Sequence, residues 1–359
     1  MTLNRFLVAW RTIPVRDREV VDALVHPDHA GPSPELSRAL AEWPGTWYWS
    51  DENGARHLVL TRPRVGLRRE PWLAPIALFL ATLFTTTWAG AIMAGALGDA
   101  GAPSISAFAR GWITGLPFSA SLLAILFAHE MGHYLTARAY QVDVSPPFFL
   151  PVPPFPFVFI GTLGAFIRLR SILSDRRQLL DVGIAGPIAG FLVALPVFWL
   201  GLTLSDTTTA VHGAVVWLGA EEIRLGDSPI IWAARLLTLG PGAGVVVHPV
   251  AFAGWLGMFV TMLNLLPISQ LDGGHILYAA LPVWHRRIAL ACWIALVALS
   301  PLWPGWLVWG LLILVMSRGR FVHPPVLDAH RPLPPARRRL AWAALVLFLL
   351  TFSPVPFRL

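Results

Sequence analysis

The sequence predicts an all-α polytopic membrane protein: about seven transmembrane helices, one reentrant β-hairpin-like segment, and a small cytosolic α/β region at the amino end. Three observations predict it. Only 13% of the 359 residues are charged, against about 25% in an average soluble domain. Mean hydropathy is +0.62. Several uncharged runs reach the roughly 20 residues that cross a bilayer.

Residues 1–70 are polar and mixed. Within them "TWYWSDENGARHLVLTRP" places two β-prone runs around Asn53-Gly54, a tight-turn pair, so a hairpin is expected over about 47–61. The apolar patch at residues 6–10 is too short for the core of a cleavable signal peptide. A membrane core over 71–320 follows. Its first uncharged run covers 72–98. The second starts at 111 and continues to Arg138, giving a helix over 112–138. A proline-rich segment at 141–171 forbids helix. The next helix is expected over 178–205, then an extracytoplasmic loop at 206–248, then a helix over 249–282. Residues 287–317 hold an apolar stretch interrupted by "SPLWPGW", read as two short spans joined by a Pro-Gly turn. Residues 321–359 form a basic linker and a final span.

All 27 basic residues are arginines, and the net charge is +7. They cluster on alternate loops: Arg62, Arg64, Arg68 and Arg69; Arg168, Arg170, Arg176 and Arg177; Arg286 and Arg287; Arg318 and Arg320; and Arg337, Arg338 and Arg339. The opposite loops carry only Arg110, Arg224 and Arg235, alongside several acids. Basic residues flank the inner ends of membrane helices. The amino terminus is therefore expected in the cytoplasm and the carboxyl terminus outside. This pattern explains the positive charge without nucleic acid as a partner. The one cysteine, Cys292, has no intrachain disulfide partner and is read as a packing residue.

Ionisable residues at membrane depth point to function. "LFAHEMGHYL" carries three, after eighteen uncharged residues. His129 and His133 are four apart and share one helix face. They can both reach one metal ion, and Glu130 beside them can take a proton from a water, which is the HExxH arrangement of zinc hydrolases. A catalytic zinc takes three protein ligands. Asp272, in "NLLPISQLDGGHIL", is the first charged residue after 23 uncharged ones and lies at the same expected depth. Gly273 and Gly274 leave room for close backbone approach, and Pro267 is expected to kink or break the helix just before it.

HExxH in one membrane helix and N-x-x-P-x-x-x-L-D-G in a later one resemble the site-2 protease family of intramembrane zinc metalloproteases. "FAHEMGHYLTARAYQVDVSPPFFLPVP", "DVGIAGPIAGF" and "HPVAFAGWLGMFVTMLNLLPISQLDGGHILYA" resemble its EGY-like chloroplast and bacterial branch. The resemblance covers about residues 70–320. It implies one Zn2+ held by His129, His133 and Asp272, with Glu130 as general base. It also implies a contribution from Asn264 to the oxyanion or to holding the substrate backbone. It further implies a reentrant strand, Gly161, Thr162, Leu163, Gly164, Ala165 and Phe166, that aligns an unwound transmembrane substrate, with Pro267 nearby. The expected partners are a transmembrane protein substrate and the lipid bilayer, in a bacterial cytoplasmic membrane. The loop at 206–248 is too short for the PDZ domain that some members carry.

The alternatives are a membrane metal carrier that uses the same His129, His133 and Asp272, and a proteolytically silent membrane scaffold or chaperone. The carrier predicts metal flux without proteolysis, and the scaffold predicts neither. "GIAGPIAG" is read as helix packing, and His275 as either an interface histidine or an additional ligand. His285 and His323 show no partner pattern in the sequence.

Overall fold

The computed structural model describes residues 2–15, 18–43, 45–52, 55–63, 72–96, 105–153, 160–170, 173, 175–209, 213–218, 221–324, 326 and 332–358. The amino-terminal region is a four-stranded antiparallel sheet of β1 (Leu7–Val15), β2 (Arg18–Val25), β3 (Thr46–Glu52) and β4 (Ala55–Pro63), in the order β1-β2-β4-β3. β3 and β4 pair from Thr46↔Thr61 to Glu52↔Ala55, which places the Asn53-Gly54 turn between the last partners, though the turn itself lies outside the described residues. Helix α1 (Pro34–Ala41) closes one face. Ser33 caps it by accepting from the Leu36 N–H, and Leu36 and Leu40 reach a core with Phe6, Leu58 and Leu60.

Three helices are long and apolar enough to cross a membrane: α2 (Leu73–Met93), the 111–139 part of α3 (Ile105–Ala139), and α4 (Arg176–Thr203). Lipid tails are as apolar as leucine, so such helices associate through close packing of small residues. Here Gly90 of α2 meets Gly115 of α3 so closely that a Cβ on either would strike the other helix's backbone. α3 and α4 meet at Gly132, against the Ala185 carbonyl. β5 (Phe148–Pro151) and β6 (Thr162–Phe166) form an antiparallel pair after α3, which occupies part of the proline-rich segment.

Asp175 caps α4 by accepting from the N–H groups of Arg177 and Gln178. Burial alone would push its carboxyl up. The Arg177 guanidinium and these two N–H groups outweigh it and hold the group below the usual carboxylate range. A depressed folded pKa contributes stability above the unfolded value, about 3.9, and loses it as pH falls through the folded value. Asp175→Ala is therefore expected to cost about 1 kcal/mol at pH 7. Unfolding midpoints of the two proteins in detergent should converge as the pH drops below about 4.

Two expectations need correction. The segment expected as one helix over 249–282, kinked or broken at Pro267, is two helices, α6 (Pro249–Asn264) and α7 (Asp272–Ala280), with the break where Pro267 stands. Pro267 cannot supply the i→i−4 bond, and Ser269 in the break has a φ of 52°. The first turn of α7 then folds back on the break. A Cβ on Gly273 would lie 2.0 Å from the Leu265 carbonyl oxygen, so only glycine fits. The stretch 206–248 is not a plain loop, and the fold is not purely α. β7 (Asp206–Thr208), β8 (Ala214–Leu218), β9 (Glu221–Leu225), α5 (Pro229–Leu239) and β10 (Gly244–Val246) occupy it. The chain end joins them as β11 (Phe357–Arg358), giving the sheet order β11-β9-β8-β10-β7. Strands of two to five residues are too short to announce themselves by alternation.

α8 (His285–Ala298) and α9 (Gly305–Met316) follow α7, and α10 (Pro335–Thr351) crosses back over the bundle. The start of α10 is fastened by Asp181 of α4, which accepts from the Tyr140 hydroxyl at 2.5 Å and from Arg337 at 3.1 Å.

Candidate metal centre

α3 presents His129, Glu130 and His133 in consecutive turns, and all three are buried. α7 begins at Asp272, so its carboxylate leaves from the first helical turn. The break at Pro267 lets α7 start at the level of the two histidines. The Asp272 Oδ2 lies 3.3 Å from both His129 Nε2 and His133 Nε2, and the two Nε2 atoms are 3.2 Å apart. Among the described residues, these three side chains form the group whose donor atoms converge.

The triangle is a test of fit. A tetrahedral ion with bonds of about 2.0–2.1 Å keeps its donors roughly 3.3 Å apart. Three edges of 3.2–3.3 Å match that spacing. The donor set, two imidazoles and one carboxylate, is one that catalytic zinc accepts. His133 Nδ1 donates to the Val182 carbonyl at 2.7 Å, which leaves the Nε2 lone pair free for a metal. The residues present therefore fit zinc.

α4 forms the floor under this triangle. A Cβ on Gly186 would lie 2.0 Å from His133 Nε2, and one on Gly190 would lie 3.0 Å from His129 Nδ1. "GIAGPIAG" is helix packing, as expected, but the partners it packs are the two histidine rings. Small residues at i and i+4 were the signal in the sequence; their partners were not visible there.

Other residues named from the sequence are placed as follows. Asn264 ends α6 with its Nδ2 3.2 Å from His129 Nε2. Glu130 lies near the backbone of Ile167, the residue after β6. Just before β6, Gly161 accepts from the Thr85 hydroxyl of α2 at 2.6 Å; within it, Thr162 is buried with its hydroxyl donating to the Leu150 carbonyl at 2.9 Å. Gly164 has a φ of 99°, and Leu163 and Phe166 are exposed. Ala165 pairs with Phe149. Pro267 lies in the break between α6 and α7.

His275 does not join the metal group. Its Nδ1 is 2.6 Å from His323 Nε2, and His323 stacks on Tyr278. His323 Nδ1 donates to the Pro324 carbonyl at 2.5 Å, so Nε2 accepts and His275 donates. This pair ties the helix bearing Asp272 to the chain after α9, a role that 48 residues of separation concealed.

The model of peptidase family M50 matches residues 117–299, just over half the chain, with all three candidate ligands inside. The chain belongs to peptidase family M50. This M50 chain is similar to the probable chloroplastic zinc metalloprotease EGY1 of Arabidopsis thaliana, at 32% identity over 67% of the chain and 43% of that relative. It is similar to the probable chloroplastic zinc metalloprotease EGY2 of Arabidopsis thaliana, at 30% over 68% of the chain and 42% of that relative. It is also similar to the probable chloroplastic zinc metalloprotease EGY3 of Oryza sativa subsp. indica, at 28% over 89% of the chain and 57% of that relative. The match to the two Arabidopsis relatives spans less than half their length. No solved structure matches this M50 chain.

Proposed function

We propose that this protein is a zinc-dependent intramembrane endopeptidase of the site-2 protease type, which hydrolyses peptide bonds in transmembrane segments of membrane-tethered proteins. The observation that carries the reading is the triangle of His129, His133 and Asp272 with buried Glu130 beside it. When bound, zinc would supply Lewis acidity that makes a water nucleophilic near neutral pH and polarises a peptide carbonyl. Glu130 takes the proton from the attacking water and delivers it to the leaving amine. Asn264, at the mouth of the same triangle, donates its amide N–H to the oxygen that gains charge.

A peptide bond inside a helix is hydrogen-bonded and shielded, so the substrate must unwind. β6 pairs with β5 on one side, and its other edge has no partner strand among the described residues. An extended substrate segment adds to that edge by main-chain hydrogen bonds. Gly161, Thr162 and Ala165 hold the strand in place while Leu163 and Phe166 offer exposed side chains to the substrate. Gly164 keeps the backbone approachable, and Pro267 bounds the far side.

Seven spans fit this reading, with α6–α7 together, α8, α9 and α10 added to the three long helices. Residues 1–70 and the inner end of the metal centre then lie in the bacterial cytoplasm. Residues 206–248 and the carboxyl end lie together outside, which the pairing of β11 with β9 supports.

The test is reconstitution with zinc in vesicles containing a model transmembrane substrate. Wild type should cleave it, and a chelator should stop cleavage until zinc returns. Asp272→Ala should bind less than a tenth of the wild-type zinc by elemental analysis and show no cleavage. Cleavage that survives complete metal removal would overturn the reading; zinc crossing the vesicle wall without cleavage would favour a carrier.

A further inference from the structure

A groove of about 890 Å³ runs between α10 on one side and α7 and α8 on the other. Along α10 it extends from Arg338 to Phe352, about 21 Å of helix at 1.5 Å per residue.

The lining is apolar except for two side chains, Arg176 and Arg338, and no acid is among the described lining residues. Both arginines sit in the first turns of their helices. The Asp181–Arg337 pair brings those two helix starts together. Arg337 spends its charge on Asp181, and its neighbour Arg338 lines the groove. The result is a slot with two positive charges at one end and only hydrocarbon beyond, beside helices that carry an aliphatic exterior. The same slot touches Pro267 and Gly273, which flank Asp272 on the chain.

We propose that this groove is a binding site for an anionic phospholipid, with its phosphate between Arg176 and Arg338 and its acyl chains along α10 past Cys292. An opposite charge placed against guanidinium groups at a membrane boundary is strongly favoured. The apolar slot supplies the burial that a free phosphate could not use. The proposal requires only that α10 lies in a bilayer, and it stands whether or not the chain cleaves peptides.

Two measurements on the full-length protein test it. In native mass spectrometry from detergent, wild type should keep one phosphatidylglycerol at activation energies that strip phosphatidylcholine. Arg338→Glu should lower phosphatidylglycerol retention to the phosphatidylcholine level, and Ala341→Trp, which fills the slot, should lower both. Cys292 is the single cysteine and lines the groove, so alkylation reads one place. Labelling by N-ethylmaleimide should be several-fold slower in vesicles of phosphatidylcholine with phosphatidylglycerol than in phosphatidylcholine alone. Equal retention of the two lipids by wild type, a comparison that needs no variant to fold, overturns the proposal. So does unchanged phosphatidylglycerol retention in a folded, zinc-loaded Arg338→Glu protein. Protection of Cys292 by a synthetic transmembrane peptide and not by phosphatidylglycerol would assign the groove to a peptide instead.

Discussion

Gly186→Ala will cost the protein its zinc although no ligand is changed. The added methyl lies 2.0 Å from His133 Nε2, inside any permissible contact, and the carbon sits on α4's backbone and cannot move aside. The His133 ring must then turn, but its Nδ1 is fixed to the Val182 carbonyl on the same helix. Either the ring leaves the triangle or α4 shifts away from α3. Loss of an orienting partner alone weakens metal sites by about 10–100-fold, and a displaced ligand should do at least as much. Zinc affinity measured by competition with a chromophoric chelator is expected to fall by about 100-fold, with activity lost in parallel. Gly190→Ala, whose methyl would be 3.0 Å from His129, should be milder, because that contact asks for a few tenths of an ångström. Equal and full zinc content in both variants would show that the α4 floor does not seat the ligands.

Glu130→Gln should separate metal binding from chemistry. Glu130 is not among the three converging donors, so zinc content should match wild type. Glutamine keeps the size of the side chain but cannot take a proton. Removal of a general base costs about 10²–10⁴-fold, so cleavage of a model transmembrane substrate should fall by that factor or more. In cells the same variant should accumulate uncut substrate. Quantitative membrane proteomics comparing it with wild type would then identify the target. A zinc-loaded variant with wild-type turnover would remove Glu130 from the mechanism.

The candidate metal ligands were legible in the sequence because they are chemically out of place. Two histidines and two carboxylates in apolar runs have few other reasons to be there, and a spacing of four residues sets a helical face. The three long helices were legible for the same reason, as unbroken apolar length. The break between α6 and α7 was half legible: Pro267 marked it, but the apolar run continued on both sides, and only the fold shows that the interruption is what lets Asp272 face His129 and His133. The sheet at 206–246 was hidden by the shortness of its strands and by its last member being more than a hundred residues away. Gly186 and His323 were hidden because each acts across a tertiary contact that composition cannot reveal. A glycine in a membrane helix says that something comes close, not what does.

α10 is attached at both ends. Arg337 grips Asp181 at its start, and β11 pairs with β9 beyond its finish. Two tethers on one rigid element behave as a bivalent ligand: while either holds, the other rebinds at the high effective concentration set by a short connection. Weakening one alone should therefore leave α10 in place and hardly change the protein's melting, whereas weakening both should release it, with a loss well beyond the sum of the two. The carboxyl-terminal helix thus adds avidity between its two ends to the packing of Ala344 and Leu347 in the core, and the double variant reads the share that the ends supply.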